Sequence, residues 1–178
     1  DQATGRQISD LLFAKAAEGG NAFAMLNLGV CYATGSGVAR NPTRAAQLYK
    51  LAAKCGCDVA MLYLGAALED GVGVPRDCVQ AVAQYRRAIK KGNNARAKVK
   101  LAKCLLDGRG VDAPDAVGAV TLLKEAVEQN EPEAAVQLGQ CYEQGRGVPV
   151  VDWHRAAELY KLAIQAGDVS GYAKLGRL

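Results

Sequence analysis

The string G-x-G-V recurs four times along the chain, beginning at Gly35, Gly71, Gly108 and Gly145, at steps of 36, 37 and 37 residues. A Leu-Gly or Leu-Ala pair precedes each copy: Leu28-Gly29, Leu64-Gly65, Leu101-Ala102 and Leu138-Gly139, with a fifth pair at Leu175-Gly176. A period of this length means one supersecondary unit repeated, each copy too thin to bury an apolar face alone. Composition agrees with a packed array: half of the 178 residues are hydrophobic, 22% are charged and the net charge is only +4. Such a chain is not disordered. The longest apolar candidate, Ala60 to Leu68, falls well short of the ~18 residues that membrane insertion needs.

Each period divides into two helical halves. In the first, helix A, Ala24, Leu28, Cys31 and Tyr32 stand at i, i+4, i+7 and i+8, one apolar stripe of a helix. The stripe recurs as Ala60, Leu64, Ala67, Leu68; as Ala97, Leu101, Cys104, Leu105; and as Ala134, Leu138, Cys141, Tyr142. The second half, helix B, carries Ala45, Leu48, Tyr49, Ala52 and Ala53, then Ala81, Tyr85, Ala88, Ile89, then Ala119, Leu122, Leu123, Ala126, Val127, then Ala156, Leu159, Tyr160, Ala163, Ile164. Leu12, Phe13, Ala16 and Ala17 read as an opening helix B without its helix A.

The residues between the stripes are helix punctuation. Asn41, Asp77, Asp115 and Asp152 stand four residues before the first helix B alanine, where a side-chain oxygen caps the helix start. Pro42 and Pro132 suit first helical positions, and Asp77 with Gln80 predicts a capping box. Asn21, Asn94 and Asp168 open helix A, and Gly20, Gly56, Gly92, Asn130 and Gly167 suit left-handed C-caps. The G-x-G predicts a tight loop with positive φ, and Gly29, Gly65, Ala102 and Gly139 predict close approach of helix A to its partner. The expected fold is all-α: a right-handed αα-solenoid of tandem 36–37-residue helix-turn-helix repeats.

The pattern A-x-x-x-L-G-x-x-[YC]-x-x-G-x-G-V, an Asp-type cap, then A-x-x-[LW]-Y-x-x-A-A-x-x-G resembles the Sel-one-like repeat family, a branch of the tetratricopeptide superfamily. Residues 24–56 follow it almost throughout, whereas the third and fourth repeats depart slightly, with Ala102 for glycine and Leu122-Leu123 for the aromatic pair. One array is expected over 1–178: a partial repeat at 1–20, full repeats at 21–56, 57–93, 94–130 and 131–167, and the start of another at 168–178. The resemblance implies a non-enzymatic scaffold or adaptor that holds another protein. Two alternatives stand beside it: a secreted β-lactam-binding or hydrolysing repeat protein, and a regulatory repeat segment of a larger enzyme. The secreted branch carries a regularly spaced bridging pair in each repeat. Here Cys31, Cys104 and Cys141 share one repeat position, while Cys55, Cys57 and Cys78 are irregular.

Catalytic, metal and cofactor residues are not evident, so none is expected. The three equivalent cysteines read as small packing residues pointing into the stack, interchangeable with Ala67. Cys55 and Cys57 lack C-x-x-C spacing and flank a helix C-cap, and Cys78 is expected to be exposed. His154, the single histidine, stands beside Trp153 on an exposed turn with no nucleophile brought to it. The G-x-G strings lack the G-K-[ST] of a phosphate loop. The irregular cysteines and the lack of a visible secretion signal favour a reducing compartment such as the cytoplasm.

The outer stripe of helix A carries the functional expectation. At 100° per residue, Phe23, Asn27, Val30 and Thr34 form one line opposite the core. Its counterparts are Val59, Tyr63, Ala66, Asp70; Arg96, Lys100, Lys103, Asp107; Glu133, Gln137, Gln140, Gln144; and Lys174, Arg177. In solenoids of the tetratricopeptide superfamily helix A lines the concave face. The expected partner-binding residues are therefore Asn27, Val30, Tyr63, Ala66, Arg96, Lys100, Lys103, Gln137, Gln140 and Lys174. The basic block Arg96, Lys98, Lys100 and Lys103 would suit a carboxylate-bearing peptide. A protein or peptide segment is the expected partner, not a small molecule. Nucleic acid is not expected, because the stripe lacks aromatics repeated beside its cations.

Overall fold

The computed structural model describes residues 11, 12, 15 and 18–178. From residue 22 onward nine helices follow: α1 Ala22–Thr34, α2 Pro42–Lys54, α3 Asp58–Asp70, α4 Cys78–Gly92, α5 Ala95–Asp107, α6 Ala116–Glu128, α7 Pro132–Gln144, α8 Trp153–Gln165 and α9 Ser170–Leu175. Helix A of each repeat is α1, α3, α5 and α7; helix B is α2, α4, α6 and α8. No strand occurs among the described residues, and consecutive helices pack in pairs. This is the all-α solenoid class that the repeat predicts. The chain forms two compact units, Asp1–Asn94 and Ala95–Leu178. The first contains the hairpins α1–α2 and α3–α4, and the second contains α5–α6 and α7–α8 with α9 following. Of the expected opening helix B, Leu12 is helical and exposed; Phe13, Ala16 and Ala17 lie outside the described residues.

Local chemistry accounts for the helix boundaries. All four expected helix B caps form: Asn41 accepts from Arg44 N–H, Asp77 from Gln80, Asp115 from Gly118 and Asp152 from Arg155. The same four residues close the preceding loop. Their N–H groups donate to Tyr32, Leu68, Leu105 and Tyr142 carbonyls at 2.8–3.0 Å. The capping box at Asp77 is therefore incomplete. Its backbone N–H is already taken by Leu68, so the Gln80 amide turns to the Asp77 carboxylate instead, at 2.7 Å. Bonds from the Gln80 backbone, foremost, and side chain hold that carboxyl below its ordinary range. On helix A, Asn21 accepts from Phe23 and Ala24, Pro132 takes the first position of α7, and Asp168 accepts from Ser170.

One expected C-cap is displaced. Gly20, Gly56, Asn130 and Gly167 adopt positive φ, but Gly92 closes α4 as a helical residue and Asn93 takes the left-handed position at φ 50. Residue 92 is a glycine for packing rather than for positive φ. A Cβ on Gly92 would fall 2.5 Å from Asp58 Cγ, at the start of α3. Asn94, expected as a helix A cap, donates its amide to the same Asp58 carboxylate at 2.8 Å.

Both glycines of every G-x-G loop have positive φ. Gly73 and Gly147 also make a close approach: a Cβ there would run into the Pro42 and Ala116 carbonyl oxygens, on the first turn of the preceding helix B. In three of the four hairpins the helix A glycine receives a tyrosine ring. A Cβ on Gly29 would stand 2.6 Å from Tyr49, and one on Gly65 or Gly139 would stand 2.5 Å from Tyr85 or Tyr160. In the third repeat, Ala102 and Leu123 fill the same two positions, both fully buried. The larger backbone partner accompanies the smaller side chain.

Candidate functional site

In the first unit, the outer stripe of α1 exposes Phe23, Asn27 and Thr34, with Val30 half-buried. On α3, Val59 and Ala66 are half-buried and Asp70 is exposed. Tyr63 is 38% exposed and stacks on Tyr49 of α2, ring centroids 5.2 Å apart and planes at 22°. One face of the Tyr63 ring is thereby covered and its position held, a rigid aromatic presented to solvent. Tyr49 itself is buried, which pushes its phenol up to about 12, with lesser contributions from Tyr63 and Cys31.

In the second unit, stripe residues of α5 and α7 line a polar cleft of about 210 Å³. Its walls are Lys103, Leu106 and Asp107 on one side and Gln137, Gln140, Cys141 and Gln144 on the other, with Arg146 at the end. Each charged side chain here has a partner within the chain, with Asp107 shared between two arginines. Lys103 pairs with Glu133, and Asp107 lies 3.2 Å from Arg109 and 3.9 Å from Arg146. Arg146 also donates to the Leu106 carbonyl at 2.6 Å. Burial pushes the Cys141 thiol up, with Arg146 opposing it.

The structure thus brings Lys103, Gln137 and Gln140 together around one cleft, and adds Leu106 and Arg146, which stripe geometry omits. Arg146 stands at the variable position of a G-x-G string, which the loop reading treats as a turn alone. Lys100 is half-buried with no ion pair among the described residues, Arg96 lies 3.5 Å from Glu131, and Lys174 is half-buried on α9.

The expected basic block is broken up. Lys98 does not face solvent: it is 2% exposed and bonds Glu125 of α6 at 2.8 Å. It stands three residues before Leu101, where the other repeats place the buried residues Met25, Met61 and Ala135. Aligning the repeats at that offset exposes the error.

Cys104 and Cys141 are buried, whereas Cys31 and Ala67 are half-buried. Cys55 is exposed, Cys57 is buried, and Cys78 is half-buried rather than exposed. His154 is exposed, 3.9 Å from Glu158. Among the described residues, no cluster of His, Cys, Asp or Glu is placed to hold a metal ion, and no helix is long and apolar enough to cross a membrane.

A profile of the Sel1 repeat matches residues 22–57, 58–93, 95–131 and 132–168. The chain belongs to the Sel1 repeat family. Sel1 repeat proteins are generally protein-interaction scaffolds and typically non-enzymatic. A solved structure with the same fold is c5321, a protective antigen present in uropathogenic Escherichia coli strains displaying an SLR fold. Identity is 33% and the TM-score 0.81 over 93% of this chain, which spans only 35% of that one. A Sel1 repeat protein from Oxalobacter formigenes is 28% identical with a TM-score of 0.85, over 98% of this chain and 75% of the other. Immunity protein Pa5087 from Pseudomonas aeruginosa shares the fold at 21% identity and TM-score 0.59, over 96% of this chain and 67% of the other. Comparison with curated proteins gives no match.

Proposed function

We propose that this Sel1 chain is an interaction scaffold, one array of repeats over residues 1–178, that docks a segment of another protein on the outer, concave-type faces of its helices A. The observation that carries this reading is that each unit presents, on that face, side chains its own core does not consume. In the first unit these are Phe23, Asn27 and the braced ring of Tyr63. In the second they line the cleft between α5 and α7. The reading assigns partner contact to Asn27, Val30, Tyr63, Ala66, Arg96, Lys100, Lys103, Gln137, Gln140 and Lys174. No catalytic step is assigned.

Tyr63→Ala and Lys100→Ala test it. Tyr63 is exposed on one face, and Lys100 has no ion pair among the described residues, so both variants keep their helicity by circular dichroism. Each weakens retention of the partner that the immobilised wild-type chain captures, by about tenfold for the aromatic anchor. Unchanged retention with intact helicity contradicts the assignment.

A further inference from the structure

The docking reading above leaves open what chemistry the cleft of the second unit recognises. Its fixed charges are already spent. A carboxylate arriving at Lys103 would have to displace Glu133, exchanging one carboxylate for another with little net gain. One arriving at Arg146 would meet Asp107, and the same guanidinium already donates to the Leu106 carbonyl. What remains uncommitted is a row of carboxamides. The side chains of Gln137, Gln140 and Gln144 all line the cleft, and none has a hydrogen-bond partner among the described residues. They stand at i, i+3 and i+7, one face of α7. At 1.5 Å per residue they span about 10 Å, close to the length of three residues of extended chain.

A carboxamide offers two N–H donors and one carbonyl acceptor, the complement of a peptide unit. We infer that the cleft between α5 and α7 binds an extended, uncharged segment of a partner protein through its main-chain amides, with Gln137, Gln140 and Gln144 as the reading residues. Lys103, Glu133, Asp107 and Arg146 serve as an internally paired rim. Hydrogen bonds of this kind hold a backbone without selecting charge, so the interaction is insensitive to ionic strength. That separates it from the acidic peptide the cation spacing suggests.

The probe is a random dodecapeptide library selected on the whole 178-residue chain. Selected peptides are expected to be poor in Asp and Glu. Their affinity is expected to change less than about threefold between about 50 and about 500 mM NaCl. Gln140→Leu and Gln137→Leu, which keep the helix and much of the side-chain volume, lower affinity about tenfold each, while Lys161→Met, at an exposed position of α8 outside the cleft, leaves it within about threefold. Acidic peptides whose affinity collapses with salt and with Lys103→Met, but ignores the glutamine variants, overturn the inference and leave the helix A docking reading standing. Peptides unaffected by any helix A substitution, Tyr63→Ala and Lys100→Ala included, overturn both, as does a selection that yields no binder.

Discussion

At Gly139 the missing side chain is occupied by another residue: the ring of Tyr160 lies where a Cβ would be. The hydroxyl of that tyrosine donates to Glu143 at 2.6 Å, and Tyr85 repeats the arrangement with Gly65 and Glu69, at 2.7 Å. The third repeat replaces all three positions together, with Ala102, Leu123 and Leu106. Gly139→Ala should therefore overpack the hairpin and cost about 1–3 kcal/mol in urea unfolding. In a Tyr160→Leu background, which copies the third repeat, the same change should cost less than about 0.5 kcal/mol. A double-mutant cycle measures the difference.

Tyr49 makes a second prediction at this scale. Its folded pKa, about 12 against an ordinary 10.0, is raised because burial disfavours the phenolate. Its contribution to stability is complete below pH 10 and is lost as pH rises from there through about 12, by about 1.4 kcal/mol per pH unit. Tyr49→Phe should leave stability near pH 7 almost unchanged and flatten the loss between pH 10 and 12, followed by urea unfolding at several pH values. Burial, foremost, and Glu143 raise the phenol of Tyr160 in the same direction, so Tyr160 contributes to the same alkaline loss.

Elements are joined by loops whose glycines differ in duty. Gly37 and Gly73 both adopt positive φ, but a Cβ on Gly37 would meet open space, while one on Gly73 would strike the first turn of α2. Gly37→Ala should cost about 1–2 kcal/mol, the penalty of a left-handed backbone for a residue with a side chain. Gly73→Ala should cost clearly more, because α2 must also move; thermal unfolding of the two variants checks the order. These loops and caps were legible because local chemistry sets them and the repeat prints them four times. What escaped was set by neighbours distant in sequence. Asp58 leaves no room for a side chain at residue 92, and Lys103 is paired with Glu133, 30 residues on. Lys98 is the intermediate case: its place among Met25, Met61 and Ala135 marked a core position, but Glu125 as its partner belongs to the next helix. Glu125→Ala should lower stability, and in a Lys98→Met background it should lower it less.

For the whole molecule, the repeats leave one face of helix A outside the core, and the docking proposed above uses that face. Period, punctuation and core stripe pointed to the fold from the sequence alone. The stripe also identified the helix faces that line the cleft. The chemistry of the cleft was not legible, because contacts between helices bury Lys98 against Glu125 and pair Lys103 with Glu133. Photo-crosslinking tests the central claim most directly. A benzophenone side chain is placed at Gln140 on helix A, or at the exposed helix B residue Val117, and the bound partner is irradiated. Crosslinks from Gln140 and none from Val117 are the predicted result; crosslinks from Val117 alone would contradict the account.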